Sequence, residues 1–237
     1  MDNNIINWLL SSDVSIQYQT HRDLLGEDRP DLQSRITTEG WGKQYLDKRM
    51  PKGHWGSRYY QPKWISSHYT LLDLKNLCLP PDNRMVHETL DVILRDERAP
   101  DGGIHPKGTT NRSDVCINGM MLNVCAWFRV EEEKLKKVID FILSMTMPDG
   151  GYNCKLNRSG AKHSSLHTTI STLEGFCEYR RQGYQYRIDD VCAAEKAAQE
   201  FILVHRLFKS DKTGRIIHPR FLRMPHPARW YYDYLRG

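Results

Sequence analysis

Apolar residues recur along the chain at helical spacing, and short polar turns separate the apolar stretches. In one such stretch Val86, Leu90, Ile93 and Leu94 lie three or four positions apart or adjacent. This spacing places the apolar side chains on one face of a helix. Runs that alternate apolar and polar residues beside a hairpin turn, which would indicate β-strands, are almost absent. The pattern predicts an all-α protein.

A second kind of helical segment, richer in apolar and small residues, repeats with a period of roughly 50 residues. Its copies span residues 66–74, 114–122 and 165–173, and each ends on a leucine; a weaker copy spans 229–235. Amphipathic segments of the first kind lie between the copies. The repeat is therefore predicted to be a helical hairpin, with the 66–74 type of segment as the inner helix and the amphipathic segment as the outer helix. The outer-helix residues are Val86, Leu90, Ile93 and Leu94, then Leu135, Val138, Ile139 and Ile142, then Phe201, Ile202 and His205.

The turn sequence Pro-Asp-Gly-Gly occurs at residues 100–103 and again at 148–151, one repeat apart. Such Pro and Gly clusters end helices. A polar and basic loop follows each turn, and serines or Asp114 then supply residue types that cap a helix N-terminus. Residues 3–10, 15–25 and 31–50 are predicted to form earlier helices. Residues 1–237 are thus predicted to be one domain, with N-terminal helices in 1–50 and three to four hairpins in 51–237.

Composition narrows the class of protein. Charged residues make up 27% of the 237 positions, and no apolar run approaches the roughly 18 residues that a membrane span requires. The first residues lack the features of a signal peptide, so a cytoplasmic location is expected, and the six scattered cysteines are expected to be reduced. The net charge of +5 is interspersed with acidic residues. Nucleic acid is therefore not an expected partner, whereas a small anionic substrate is compatible with the charge.

Inner helices at this period, preceded by an Asp-Gly-Gly turn, resemble those of the terpenoid cyclase and protein prenyltransferase superfamily, including bacterial squalene-cyclase-like proteins. The resemblance covers roughly residues 55–237. It implies an α/α toroid, a barrel of helical hairpins. The chain holds fewer hairpins than a closed toroid of that family, so the barrel is expected to be incomplete or open. Further residues or a partner subunit in an oligomer would then cover the last helix, predicted to begin at Arg229.

The resemblance also implies two activity patterns. The Asp-x-Asp-Asp acid of class II cyclases is absent; the adjacent pair Asp189 and Asp190 is better explained as charge at a helix N-terminus. Prenyltransferases hold a catalytic zinc with an Asp-x-Cys on one inner helix and a His-Thr on the next. Asp114, Cys116 and His167 match that pattern. The resemblance therefore implies that these three residues are zinc ligands.

The repeat alignment alone points to the same place. It puts His68, Cys116 and His167 in one column of three inner helices. Thiolate, imidazole and carboxylate are ligands that zinc accepts, and three of them leave a fourth position for substrate or water. Each residue also has a structural interpretation, with Asp114 as a helix cap, Cys116 as a packing residue and His167 as a core histidine. His68 is either a fourth ligand or a base that lines the cavity.

Several further residues are predicted to face the same cavity. His68 and His163 are the candidate catalytic bases. The aromatic side chains of Trp55, Tyr60, Trp64 and Tyr152 would suit an isoprenoid-like substrate. Lys107 and Arg112 would bind an anionic group. Plain packing and solvated loops are the respective alternatives.

These features predict a prenyltransferase-like or cyclase-like enzyme with zinc that acts on a small, largely apolar substrate. The alternative is a non-catalytic toroid that binds a lipid, a peptide or a protein in its central cavity.

Overall fold

A computed structural model describes residues 3–107 and 112–237, and the regular structure within those ranges is helical. No strand occurs there, and extended backbone pairs only in isolated bridges such as that between Arg98 and Ile104. None of the helices described is long and apolar enough to cross a membrane. The prediction of an all-α protein is confirmed.

The described ranges contain eleven α-helices, a π-helical turn (Thr20–Leu25) and a 3-10 helix (Pro219–Leu222). The bounds are α1 (Asn3–Leu10), α2 (Val14–Gln19), α3 (Pro30–Arg35), α4 (Gly40–Leu46), α5 (Ser67–Asn76), α6 (Arg84–Asp96), α7 (Val115–Trp127), α8 (Glu132–Ser144), α9 (Leu156–Ser159), α10 (Leu166–Arg181) and α11 (Ile188–Val204).

The chain divides into two units, Met1–Val92 and Ile93–Gly237, and the division falls inside α6. The toroidal closure and the single domain expected from the sequence stay predictions. In the first unit Ile36, Leu71 and Leu74 are completely buried. The predicted helix at 3–10 is α1, whereas the predicted helix at 31–50 is broken into α3 and α4.

The break between α3 and α4 has a local cause. Gly40 adopts a positive φ of 59°, and a Cβ at this position would lie 2.1 Å from Asp13 Oδ2. The same carboxylate accepts a hydrogen bond from Trp41 N at 2.8 Å. Asp13 therefore takes up a backbone donor at the start of α4, and glycine is the residue that lets the chain pass so close to it.

In the second unit the inner helices α7 and α10 approach each other through two glycines. A Cβ on Gly119 would lie 2.6 Å from Ser171 O, and one on Gly175 would lie 2.5 Å from Gly119 O. Such distances leave room for hydrogen but not for a methyl group. The two backbones can therefore pack closely, and this contact fixes the relative position of the N-terminal half of α7 and the middle of α10.

Each Pro-Asp-Gly-Gly turn is fastened to the start of the following inner helix by an Asp–Ser clasp, which pairs Asp101 with Ser113 and Asp149 with Ser164. Asp101 Oδ1 accepts a hydrogen bond from Ser113 Oγ at 2.7 Å. Asp149 Oδ2 accepts one from Ser164 N at 2.9 Å, and Asp149 Oδ1 accepts another from Ser164 Oγ. The clasp is the same in both repeats, and each clasp closes the loop between its turn and its inner helix.

The starts of the inner helices agree with the repeat alignment. α5, α7 and α10 have their N-cap residues in one alignment column, and His68, Cys116 and His167 are the second residues of those helices. The N-cap residues are Ser66, Asp114 and Ser165. None of the three makes a side-chain capping hydrogen bond. Because Asp114 does not cap α7, the backbone amide of Cys116 is available to another acceptor.

The helix predicted to begin at Arg229 does not form. Arg229 has a positive φ of 54°, and residues 223–237 hold no helix. The backbone amides there are used by distant partners: Tyr234 N donates to Phe221 O at 2.9 Å, and Tyr232 N donates to His167. These amides are therefore not available for the helical bonds that the sequence pattern suggested.

Candidate functional site

Two cysteines meet at the N-terminus of α7. Cys116 N donates a hydrogen bond to Cys154 Sγ at 3.2 Å. Thr168 Oγ1, near the start of α10, donates a second hydrogen bond to Cys154 Sγ at 3.4 Å. The sulfur of Cys154 thus takes the place that a capping side chain would occupy at α7. Both cysteines are free thiols.

The two cysteines shift each other's pKa in opposite directions. The hydrogen bond from the Cys116 side chain lowers the pKa of Cys154, although burial acts in the opposite direction. The same hydrogen bond raises the pKa of Cys116. A helix N-terminus further favours a negative sulfur. Cys154 is therefore the sulfur of the pair that carries negative charge more readily.

Asp114 lies beside the cysteine pair and is held by a cation. The residue is 6% exposed, and Arg158 Nη2 lies 3.0 Å from Asp114 Oδ1. This contact is an ion pair, but within the described residues Oδ1 has no partner with hydrogen-bond geometry. Burial raises the pKa of Asp114, and the charges of Arg158 and His105 oppose that rise. The prediction that Asp114 lies near Cys116 at the head of an inner helix agrees with this geometry.

His167 has different neighbours. Its Nδ1 accepts a hydrogen bond from Tyr232 N at 2.7 Å, and its ring packs edge-on against Phe221 and Trp230. Burial lowers the pKa of His167 to about 4, and the charges of Arg236 and Arg220 add to the effect. Because a backbone amide can only donate, the neutral ring carries its proton on Nε2.

This arrangement bears on the predicted zinc ligands. Zinc binds a histidine through an unprotonated ring nitrogen, and in His167 one nitrogen accepts from Tyr232 while the other holds the proton. Among residues 3–107 and 112–237, no three His, Cys, Asp or Glu side chains are grouped as they would be around a metal ion. The zinc site of Asp114, Cys116 and His167 stays a prediction, and His167 can join it only if the Tyr232 contact opens.

His68, in the first unit, is completely buried among aromatic rings. Tyr59 Oη lies 2.9 Å from His68 Nδ1, and the ring centroids of Tyr60 and Tyr69 lie 5.0 Å and 4.9 Å from that of His68. Burial lowers the pKa of His68 to about 3. Its Nε2 has no hydrogen-bond partner among the residues that the structure describes. His68 is therefore a neutral imidazole with one unused nitrogen.

The four aromatic residues predicted to line a cavity fall into two pairs. Trp55 and Tyr152 are buried: the Trp55 ring nitrogen donates to Tyr45 O at 2.6 Å, and Tyr152 Oη lies 3.0 Å from Thr146 Oγ1. Tyr60 and Trp64 are partly exposed. A ligand could reach the second pair directly, whereas the first pair serves as interior packing in this conformation.

The predicted polar residues of the loops are at the surface. His163 is exposed, and its carbonyl accepts a hydrogen bond from Asn153 Nδ2 at 2.8 Å. Arg112 Nη1 donates to Asn157 O at 2.6 Å, which joins the two loops that lead to α7 and α10. Lys107 N donates to Glu97 Oε2 at 2.9 Å. Their roles as catalytic base and anion-binding residues stay predictions.

Cys154 is the residue that the repeat alignment missed. It lies in the loop after Gly151 rather than in an inner-helix column, so comparison of helices could not pair it with Cys116. The sequence signal that could have found Cys154 is its place between the repeated turn at 148–151 and an inner helix.

No protein-family model matches the chain, and no curated protein is similar enough to it to count as a match.

Proposed function

We propose that this chain is a prenyltransferase-like or terpenoid-cyclase-like enzyme in which Cys116, Cys154 and Asp114 hold a zinc ion at the N-terminus of α7. The observation that carries the proposal is the contact between the two cysteines, with a buried carboxylate beside them. The three side chains are not grouped around one point among the described residues, so the ion would have to draw them together. The kind of substrate, small and largely apolar or isoprenoid-like, rests on the family resemblance of the repeats.

The donor set suits zinc. Two thiolates are soft ligands that favour zinc over magnesium or calcium, and a carboxylate completes a set of three that leaves one position open. Asp114 Oδ1 already faces a cation, the guanidinium of Arg158, at 3.0 Å. A metal ion would replace that cation as the partner of the carboxylate. When bound, zinc would supply a Lewis acid or activate a thiol or water.

The remaining residues of the site hold these ligands in place. Thr168 Oγ1 donates to Cys154 Sγ and so orients the sulfur, while Arg158 Nε donates to Cys154 O at 3.3 Å. Such hydrogen bonds to ligand residues are typical of metal sites and commonly change affinity by about 10- to 100-fold. His167 is not a ligand in this proposal, because Tyr232 occupies its Nδ1.

The test is the metal content of protein purified without chelator. We expect stoichiometric zinc in the wild-type protein, its loss in Cys116→Ser and Cys154→Ser, and weaker binding in Asp114→Asn. Cys192→Ser, on the outer helix α11, is the matched control and should keep its zinc.

The same measurement separates the alternatives. Zinc that survives Cys154→Ser but is lost in His167→Gln would favour the set Asp114, Cys116 and His167 and overturn the one proposed. A wild-type protein that binds no zinc would leave the non-catalytic binding protein as the better account.

A further inference from the structure

We propose that Cys116 and Cys154 form a reversible disulfide within the chain, so that the head of α7 is a redox-sensitive site. The disulfide does not require a metal. Its effect on zinc, described below, rests on the proposed function.

The geometry that carries the inference is the contact between two free cysteines from different segments of the chain. The backbone amide of Cys116 lies 3.2 Å from Cys154 Sγ, so the sulfur of one cysteine already touches the backbone of the other. Cys154 comes from the loop after the second Pro-Asp-Gly-Gly turn, and its sulfur is held by Thr168. The sulfur of Cys154 is thus held against the residue with which it would form the disulfide.

The oxidant reaches Cys116 before Cys154, because Cys116 is the more solvent-exposed of the two residues. Cys116 is partly exposed, whereas Cys154 is buried. The oxidant can be any small disulfide, and oxidised glutathione is a suitable one. Cys154 carries negative charge more readily but is buried, so access and not acidity makes Cys116 react first. The Cys116 thiol loses its proton to water and attacks one sulfur of the oxidant, which breaks the sulfur–sulfur bond and releases one small thiol.

Cys154 then completes the exchange. Its sulfur, after losing a proton, attacks Cys116 Sγ and releases the second small thiol. In total two protein thiols are oxidised by two electrons to one disulfide, and one small disulfide is reduced to two thiols. Disulfides that form in a reducing compartment are generally transient and serve catalysis or redox sensing.

Oxidation would have a definite effect on the proposed metal site. A disulfide removes both sulfur ligands at once, so a zinc ion held by Cys116 and Cys154 would be released. Reduction by excess thiol would restore the two ligands. The reverse also follows, because bound zinc would protect both sulfurs from oxidation.

The experiment uses the full chain, stripped of metal with a chelator and incubated with mixtures of reduced and oxidised glutathione. We expect the intact mass to fall by two hydrogens and peptide mapping to show Cys116 linked to Cys154, with full reversal by dithiothreitol. Cys154→Ser should instead accumulate a glutathione adduct on Cys116, and Cys192→Ser should behave as the wild type.

Two results would overturn the inference: a stable glutathione adduct on Cys116 in the wild type, or an intramolecular disulfide between other cysteines with this pair still reduced. Circular dichroism of each variant checks that it is folded. Because the protein is metal-free, these results do not depend on whether zinc binds. Failure of the zinc proposal and failure of the disulfide are therefore distinguishable.

Discussion

Tyr232 donates its backbone N–H to Nδ1 of His167 over 2.7 Å, although the two residues are 65 positions apart in sequence. The contact joins the C-terminal segment to the second residue of α10. Arg236 strengthens the same junction, because its Nε and Nη2 both donate to the Glu174 carboxylate at 2.7 Å. The histidine that the sequence marks as a metal ligand is thus part of an internal contact.

The tautomer of His167 is the first prediction. We expect Nε2 to be protonated and Nδ1 to be bare, because Tyr232 N can only donate. Nitrogen-15 chemical shifts of the imidazole, measured at pH values well above the pKa of about 4, report this directly. His163, which is exposed, provides a reference signal in the same spectrum. A proton on Nδ1 would show that the Tyr232 contact is open in solution.

His68 should make the protein less stable in acid. The unfolded chain binds a proton on this histidine near its ordinary pKa of 6.5, whereas the folded chain does so only near about 3, because of burial. Lowering the pH through that window therefore favours the unfolded state. We expect the free energy of unfolding, measured in urea, to fall less steeply with acidity in His68→Phe than in the wild type. His163→Phe is the matched control, and an unchanged slope in His68→Phe would contradict the prediction.

The close approach of α7 and α10 should make Gly119→Ala destabilising. Alanine normally favours a helix over glycine by about 1 kcal/mol. Here its methyl group would lie 2.6 Å from Ser171 O, and such overpacking costs roughly 1–3 kcal/mol. We expect a net loss in the free energy of unfolding.

Gly175→Ala should behave in the same way, since its methyl group would meet Gly119 O. Both substitutions force the same two helices apart, so the double variant should lose less than the sum of the single losses. A gain in stability in either single variant would show that the helices are farther apart in solution.

The Asp–Ser clasp should contribute equally in the two repeats. Asp101→Ala and Asp149→Ala each remove charge-assisted hydrogen bonds to the serine that precedes an inner helix. We expect each to lower the free energy of unfolding by roughly 1.5–3 kcal/mol. Asp189→Ala, an exposed residue in the first turn of α11, is the control and should change stability by about 0.5 kcal/mol or less. Losses as small as the control's would mean that the clasp is not formed.

The helices could be predicted from the sequence where local patterns decide them. The apolar spacing of Leu135, Val138 and Ile142 predicted α8, and the repeat alignment predicted the N-cap positions of α5, α7 and α10. The break at Gly40 and the irregular segment after Arg229 could not be predicted. In both places a distant acceptor, Asp13 or His167, takes a backbone amide, and no local pattern contains that contact.

The candidate site shows the same limit. Asp114 and Cys116 could be found because they share a column with residues of other repeats. Cys154 could not, because it reaches Cys116 from a loop whose path depends on Asp149, Ser164 and the loop residues between them. The repeat period predicts where the helices lie, but it does not predict the contacts of loops that differ from one repeat to the next.

The Asp–Ser clasps have a consequence for how such a protein can change over evolution. Asp149 and Ser164 fix the two ends of a loop, so insertions or deletions between them need not shift the start of α10. Cys154 and Arg158 both lie within that stretch. The side chains of this loop can therefore be exchanged while the helices around it stay in place, so the loop is the part of this framework that can change most freely.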